Sequence, residues 1–77
     1  MQISAAADND NGCINITISS LGEENKKAIS GDFVINRYDN KNGWQQWFSF
    51  PVVGKRNVFI TKKDWWIEQG VEYLYSL

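Results

Sequence analysis

The sequence predicts a single all-β domain, an antiparallel β-sandwich spanning residues 1–77. Three isoleucines, Ile14, Ile16 and Ile18, alternate with polar residues, and this period of two is typical of a half-buried strand. Clusters of turn-forming residues recur every 10 to 15 residues or so, a spacing close to that of a sandwich of short strands. No helical pattern longer than a turn or two interrupts them, and a chain of 77 residues has room for one core.

The first half of the chain predicts two strands joined by a turn. Residues 1–7 form a short strand, and the turn at 8–12 follows because Asp, Asn and Gly accept left-handed backbone. Cys13 begins the isoleucine strand and is predicted to be a small buried or half-buried hydrophobe, with an intermolecular disulfide as the alternative. The polar, charged segment 22–27 predicts a solvated loop.

The second half predicts a hairpin and two further strands. Phe33 and Ile35 share a face in the hairpin at 32–50, and Asn42-Gly43 is a dipeptide that favours its turn. Pro51 lacks an N–H group, so it is expected to end the strand or to lie at a sheet edge. The remaining predicted elements are a turn at 54–57, a strand at 58–61 and a strand at 71–77.

The composition excludes most enzyme chemistry. Histidine is absent and Cys13 is the only cysteine, so imidazole bases, Cys/His zinc sites and intrachain disulfides are ruled out. The formal net charge of −1 offers no electrostatic attraction for nucleic acid, and no apolar run is long enough to span a bilayer. Neither a signal peptide nor a cofactor motif is seen. The chain is therefore expected to be a binding or structural module that contacts neither nucleic acid nor membrane.

Two groups of acidic residues are candidate sites. A glycosidase needs two carboxylates facing one cleft, and the spacing brings no two of the candidates together. These candidates are Asp32, Asp39, Asp64, Glu68 and Glu72. Residues 8–12 resemble the start of a calcium loop but lack its bidentate Glu, so a turn is favoured. No catalytic residue and no metal site is predicted.

The tryptophans are the candidate contact residues. Trp44, Trp47, Trp65 and Trp66 are candidates for sugar stacking, or for packing in the core or against another subunit. Adjacent residues of a strand point in opposite directions, so one of Trp65 and Trp66 is expected in the core, and Trp44 and Trp47 on opposite faces. Packing is favoured over sugar stacking. Two coplanar tryptophans open to solvent would favour sugar.

The segment 67–75 resembles the corner between the fifth and sixth strands of fibronectin type III domains. Ile67 matches the apolar position, Gly70 the turn and Tyr73 the corner tyrosine, whose hydroxyl the resemblance places on an upstream backbone group. The resemblance implies an immunoglobulin-like, fibronectin type III-like sandwich whose strands B, C, C′, E and F begin near residues 14, 33, 44, 58 and 71.

A narrower resemblance concerns the segments 31–37 and 67–75 together with a tryptophan in strand C′ and Asp64. Their combination is similar to fibronectin type III-like modules of tailed-bacteriophage structural proteins. This implies a non-enzymatic structural module of the virion, in the tail or neck, that contacts other protein chains. The alternative is a carbohydrate-binding module that uses exposed tryptophans to adhere to host-surface glycans.

One departure from this family concerns the last strand. The sequence stops at Leu77, before any seventh strand, so a fragment or module of a larger protein is expected. Two alternatives would cover the edge from Val71 to Leu77, which would otherwise expose unpaired backbone groups: residues of the larger protein that follow Leu77, or a strand donated by another chain, which is favoured. A second departure is the aliphatic Ile16 or Ile18 at a position that is often tryptophan.

Overall fold

A computed structural model of the chain describes residues 1–20, 28–55 and 57–77. These residues form six β-strands and no helix, which confirms the predicted all-β class. The strands are β1 (Gln2–Asp8), β2 (Cys13–Ser19), β3 (Ile29–Asp39), β4 (Gly43–Lys55), β5 (Phe59–Asp64) and β6 (Leu74–Ser76). The predicted loop at 22–27 lies outside the described residues.

The strands form two antiparallel sheets that share one core. The first sheet has the order β1-β2-β5 and the second the order β4-β3-β6. Both contribute to a buried cluster of Ile18, Ile35, Phe50, Val52 and Val58. Each such side chain stabilises the fold by about 1.5–3 kcal/mol on burial, so the apolar contact between the sheets holds them together. This is the layout of a β-sandwich.

Strand β2 follows the predicted alternation. Ile16 and Ile18 are fully buried, whereas Ile14 is half-buried at the end of the sheet. Ile18 lies opposite Ile3 on one neighbour and Ile60 on the other, which extends the apolar face across all three strands. Cys13 is buried and unpaired, as predicted for a small hydrophobe.

The β3–β4 hairpin is longer than predicted because β4 continues through Pro51. This strand lies at the edge of its sheet, where a residue without an N–H group is tolerated. The pairing register shifts between Ile35 and Asn36, whose partners are Phe48 and Gln46, so Trp47 is an extra residue in the manner of a β-bulge. The shift allows Trp47 and Phe48 both to pack against the core.

Both hairpins close with the same five-residue turn, Asp-Asn-x-Asn-Gly. In the first, Asp8 accepts a hydrogen bond from the backbone N–H of Asn11 at 3.2 Å; in the second, Asp39 accepts one from the N–H of Asn42 at 2.9 Å. The terminal glycines have φ values of 72° and 70°, which a residue with a Cβ adopts only with strain. Hydrogen bonds from the turn asparagines lower the pKa of both aspartates. Residues 8–12 are therefore a self-satisfied turn, as predicted.

The last two strands differ from prediction in length. Strand β5 runs from Phe59 to Asp64, beyond the predicted end at residue 61, whereas β6 covers only Leu74 to Ser76 of the predicted 71–77. Gly54 and Lys55, predicted as part of a turn, belong to β4. Strand β6 pairs with β3 on one side and lies at the edge of its sheet within the described part of the chain.

Candidate functional site

A buried carboxylate lies between the two sheets and binds groups from both of them. Asp64, at the end of β5, is 1% exposed. Its Oδ2 accepts hydrogen bonds from Arg37 Nη1 on β3 and from the hydroxyl of Tyr75 on β6, both at 2.7 Å. Its Oδ1 accepts one from the backbone N–H of Trp66 at 3.0 Å. Asp64 thus ties both sheets and the segment after β5 to one point.

This arrangement fixes the protonation of its partners. Burial would lower the pKa of Arg37, but the hydrogen bond and charge of Asp64 outweigh it and the pKa is raised. Burial, and then the hydrogen bond donated to Asp64, raise the pKa of Tyr75 well above its ordinary value. Both donors therefore keep their protons across the physiological range. The three side chains serve to hold the two sheets together.

Sequence reasoning missed this cluster, although a signal was present. Arg37 continues the inward series Phe33, Ile35, and Asp64 continues the series that begins at Ile60 and Lys62 in β5. Opposite charges at inward positions of two strands are expected to pair, because a lone buried charge is costly. Neither residue stands out in the sequence until both strands are assigned.

The tryptophans after β5 correct one prediction. Trp65 and Trp66 are 54% and 84% exposed, so neither lies in the core. The inward position at this end of β5 belongs to Asp64, and the strand ends there, so the alternation no longer places the next residues between two sheets. The prediction that one of the pair is a core residue was wrong for this reason.

The backbone of Trp66 is held although its side chain is free. Its N–H donates to Asp64 as described, and its carbonyl accepts a hydrogen bond from Arg37 Nη1 at 2.8 Å. Because the backbone is already fixed, only the side-chain rotamers of the indole must be ordered when it meets a partner. This is the property expected of an anchor residue at an interface.

The other two tryptophans lie on opposite faces of β4, as predicted. Trp47 packs against the core and makes an edge contact with the Tyr75 ring at 5.7 Å. Trp44 lies on the outer face beside Tyr38, with ring centroids 5.5 Å apart and planes tilted by 50°. The ring contacts of the described residues therefore include no coplanar pair of exposed tryptophans.

The segment from Ile67 to Tyr73 forms a closed corner. The Tyr73 hydroxyl accepts a hydrogen bond from the backbone N–H of Glu68 at 2.8 Å, and Arg37 lies over the Tyr73 ring at 5.1 Å. Gly70 adopts a φ of 83°, a backbone conformation that favours glycine because a Cβ atom would be strained there. Ile67 is half-buried and lines the neighbouring groove.

Shallow grooves border this corner and the tryptophans, and two of them contain the charged and aromatic contacts described here. One, of about 220 Å³, separates the corner from the β3–β4 turn and is crossed by an exposed ion pair between Lys41 and Glu68 at 2.8 Å. The other, of about 380 Å³, is lined by Trp47, Phe48 and the Trp65–Trp66 pair together with lysines of β5. Lys62 Nζ lies over the Phe48 ring there at 4.6 Å.

Of the candidate catalytic carboxylates, Asp39 and Glu68 line the same groove beside the corner, but each has a structural partner of its own. Asp39 closes a turn, Asp64 binds Arg37, and Glu68 pairs with Lys41, so the contacts of these three are structural. Asp32 and Glu72 are exposed. Within residues 1–20, 28–55 and 57–77, no group of three His, Cys, Asp or Glu residues is arranged to hold a metal ion.

The described residues include no helix that is long and apolar enough to cross a membrane. Comparisons of the chain with protein-family models, curated proteins and solved structures found no match.

Proposed function

We propose that this chain is a non-enzymatic module of fibronectin type III-like kind that contacts other protein chains in a phage virion, in the tail or neck. The observation that carries the contact role is Trp66, whose indole is 84% exposed while its backbone is fixed by Asp64 and Arg37. A large aromatic side chain presented in this way is a typical anchor of protein interfaces. The virion setting derives from the sequence resemblance.

The strand order supports the fibronectin type III-like part of the proposal. With β1 to β6 taken as strands A, B, C, C′, E and F, one sheet contains A, B and E and the other contains C′, C and F. Immunoglobulin-like sandwiches likewise place A, B and E in one sheet and C and F in the other. The hydrogen bond from Glu68 N–H to the Tyr73 hydroxyl has the form of the tyrosine corner of such sandwiches.

Strand donation to β6 is the second part of the proposal. The edge of β5 carries Lys62 and Lys63, and the edge of β4 contains Pro51 and a bulge, features that discourage pairing with another chain. Strand β6 has neither charge nor proline, and β1 lies close to it. This side of the molecule is therefore the better acceptor for an added strand.

Mass spectrometry and cryo-electron microscopy of gradient-purified virions test the assignment to a particle. The proposal requires the chain to be a stoichiometric virion component with Trp66 at a contact with a neighbouring chain. Absence from the particle, or a Trp66 side chain that remains in solvent there, would contradict it.

Sedimentation of the purified chain tests strand donation separately. We expect concentration-dependent association through β6, which Leu77→Lys should suppress because a charge at an edge opposes pairing. Thr61→Lys, on the already charged β5, is the matched control and should leave association unchanged. A soluble monomer at all concentrations would refute an accepting edge.

A further inference from the structure

The outer face of the β4-β3-β6 sheet carries a row of apolar side chains that the contact role above does not use. Trp44, Tyr38 and Leu74 are directly opposite one another on the three strands. They point away from the core, because the intervening residue of β3, Arg37, points to Asp64 in the other sheet. Trp44 is 54% and Leu74 47% exposed. The row is thus an open apolar strip across the whole sheet.

A second row of polar side chains runs parallel to it. Gln46, Asn36 and Ser76 are likewise directly opposite one another, two residues along each strand from the first row. Asn36 and Gln46 have no side-chain hydrogen bond within the described residues, and Ser76 donates only to the carbonyl of adjacent Leu77. Amide and hydroxyl groups are therefore available beside the apolar strip.

The dimensions of the two rows are set by sheet geometry. Three strands spaced by about 4.8 Å give a strip about 10 Å long, which suits about two sugar rings, and residues i and i+2 separate the rows by about 7 Å. A pyranose ring presents C–H groups on one face and hydroxyls around its rim. Its face can stack on Trp44, with the tilted Tyr38 ring at its side, while its rim meets Asn36 and Gln46.

From this juxtaposition we propose that the outer face binds a neutral oligosaccharide. All six side chains are uncharged, so the rows contain no ionic group that would attract or neutralise a sialic or uronic acid. A protein interface of this size would be expected to have an apolar centre, whereas here half of the face is a row of amides and a hydroxyl. An added strand at the β6 edge would leave this face open.

A glycan array that holds neutral and acidic oligosaccharides tests the proposal with the purified chain. We expect binding to neutral members, and titration of the best of them by calorimetry should show at least about a tenfold loss for Trp44→Ala. Asn36→Ala should weaken binding several-fold through the loss of rim hydrogen bonds. Trp66→Ala is the matched control, because it removes an exposed indole elsewhere and should leave affinity unchanged.

Circular dichroism melting of Trp44→Ala should match the parent, since this side chain is more than half exposed. If Trp44→Ala is misfolded, Trp44→Phe replaces it in the test. This variant keeps an aromatic ring and should retain part of the affinity. The proposal would be overturned if no glycan on the array bound or if only acidic glycans bound. It would also be overturned if Trp66→Ala, instead of Trp44→Ala, lost binding. An empty array together with a change in association for Trp44→Ala would assign the face to a protein. The glycan-binding results are independent of the virion test and of the sedimentation of Leu77→Lys.

Discussion

Replacing Asp64 with asparagine is expected to remove a large part of the stability of the domain. The substitution keeps the shape of the side chain but leaves the guanidinium of Arg37, only 16% exposed, without a counter-charge. Breaking a buried pair costs about 3–5 kcal/mol. Arg37 retains its hydrogen bond to the Trp66 carbonyl, so we expect the lower end, about 3 kcal/mol. A domain of 77 residues has a total unfolding free energy of roughly 4–12 kcal/mol, so this is a substantial share.

Urea denaturation followed by far-ultraviolet circular dichroism measures the loss of unfolding free energy. In a thermal melt, the melting temperature should fall by about 12–24 °C. Glu68→Gln is the matched control, because it breaks an ion pair whose side chains are 62% and 63% exposed. Such a pair contributes at most about 1 kcal/mol. If Asp64→Asn and Glu68→Gln destabilise the domain equally, Asp64 does not hold the two sheets together.

Three further variants test the remaining features. Tyr73→Phe should lower the unfolding free energy by about 1 kcal/mol through loss of the acceptor for the Glu68 N–H, whereas Tyr38→Phe should not; equal denaturation midpoints for the two would contradict this role. The raised pKa of Tyr75 favours the folded state below the ordinary tyrosine pKa of about 10, so stability should fall as pH rises above it, and more steeply than in Tyr75→Phe. Gly43→Ala should cost about 1–2 kcal/mol through backbone strain in open space, and Gly43→Asn less, as thermal melts of the two would show.

The elements that the sequence predicts best are those whose pattern is local. The alternation around Ile16 and Ile18 and the turn residues of both hairpins each specify their structure within a few residues, and both appear in the fold. Pro51 shows the limit of such reasoning. Its chemistry permits either a strand end or an edge, and only the pairing of β4 with β3 decides between them.

The candidate site depends on contacts that no local pattern contains. The exposure of Trp65 and Trp66 follows from where β5 ends, and that end is marked by Asp64, whose partners come from β3 and β6. An aromatic pair after an alternating run resembles a continuing strand, so the sequence alone favours burial of one ring. The opposition of Trp44, Tyr38 and Leu74 likewise requires the register of three strands.

The repeated turn has a consequence for the order of folding. Each hairpin is closed by contacts within five residues, so β1–β2 and β3–β4 can form without the rest of the chain. The pairing of Ile18 with Ile60 and of Arg37 with Tyr75 must instead close long segments of chain, which is slow. We expect substitutions of Gly12 and Gly43 to slow folding in proportion to their cost, and substitutions of Asp64 to speed unfolding. If instead the glycine substitutions speed unfolding and the Asp64 substitutions slow folding, the two sheets meet before their hairpins close.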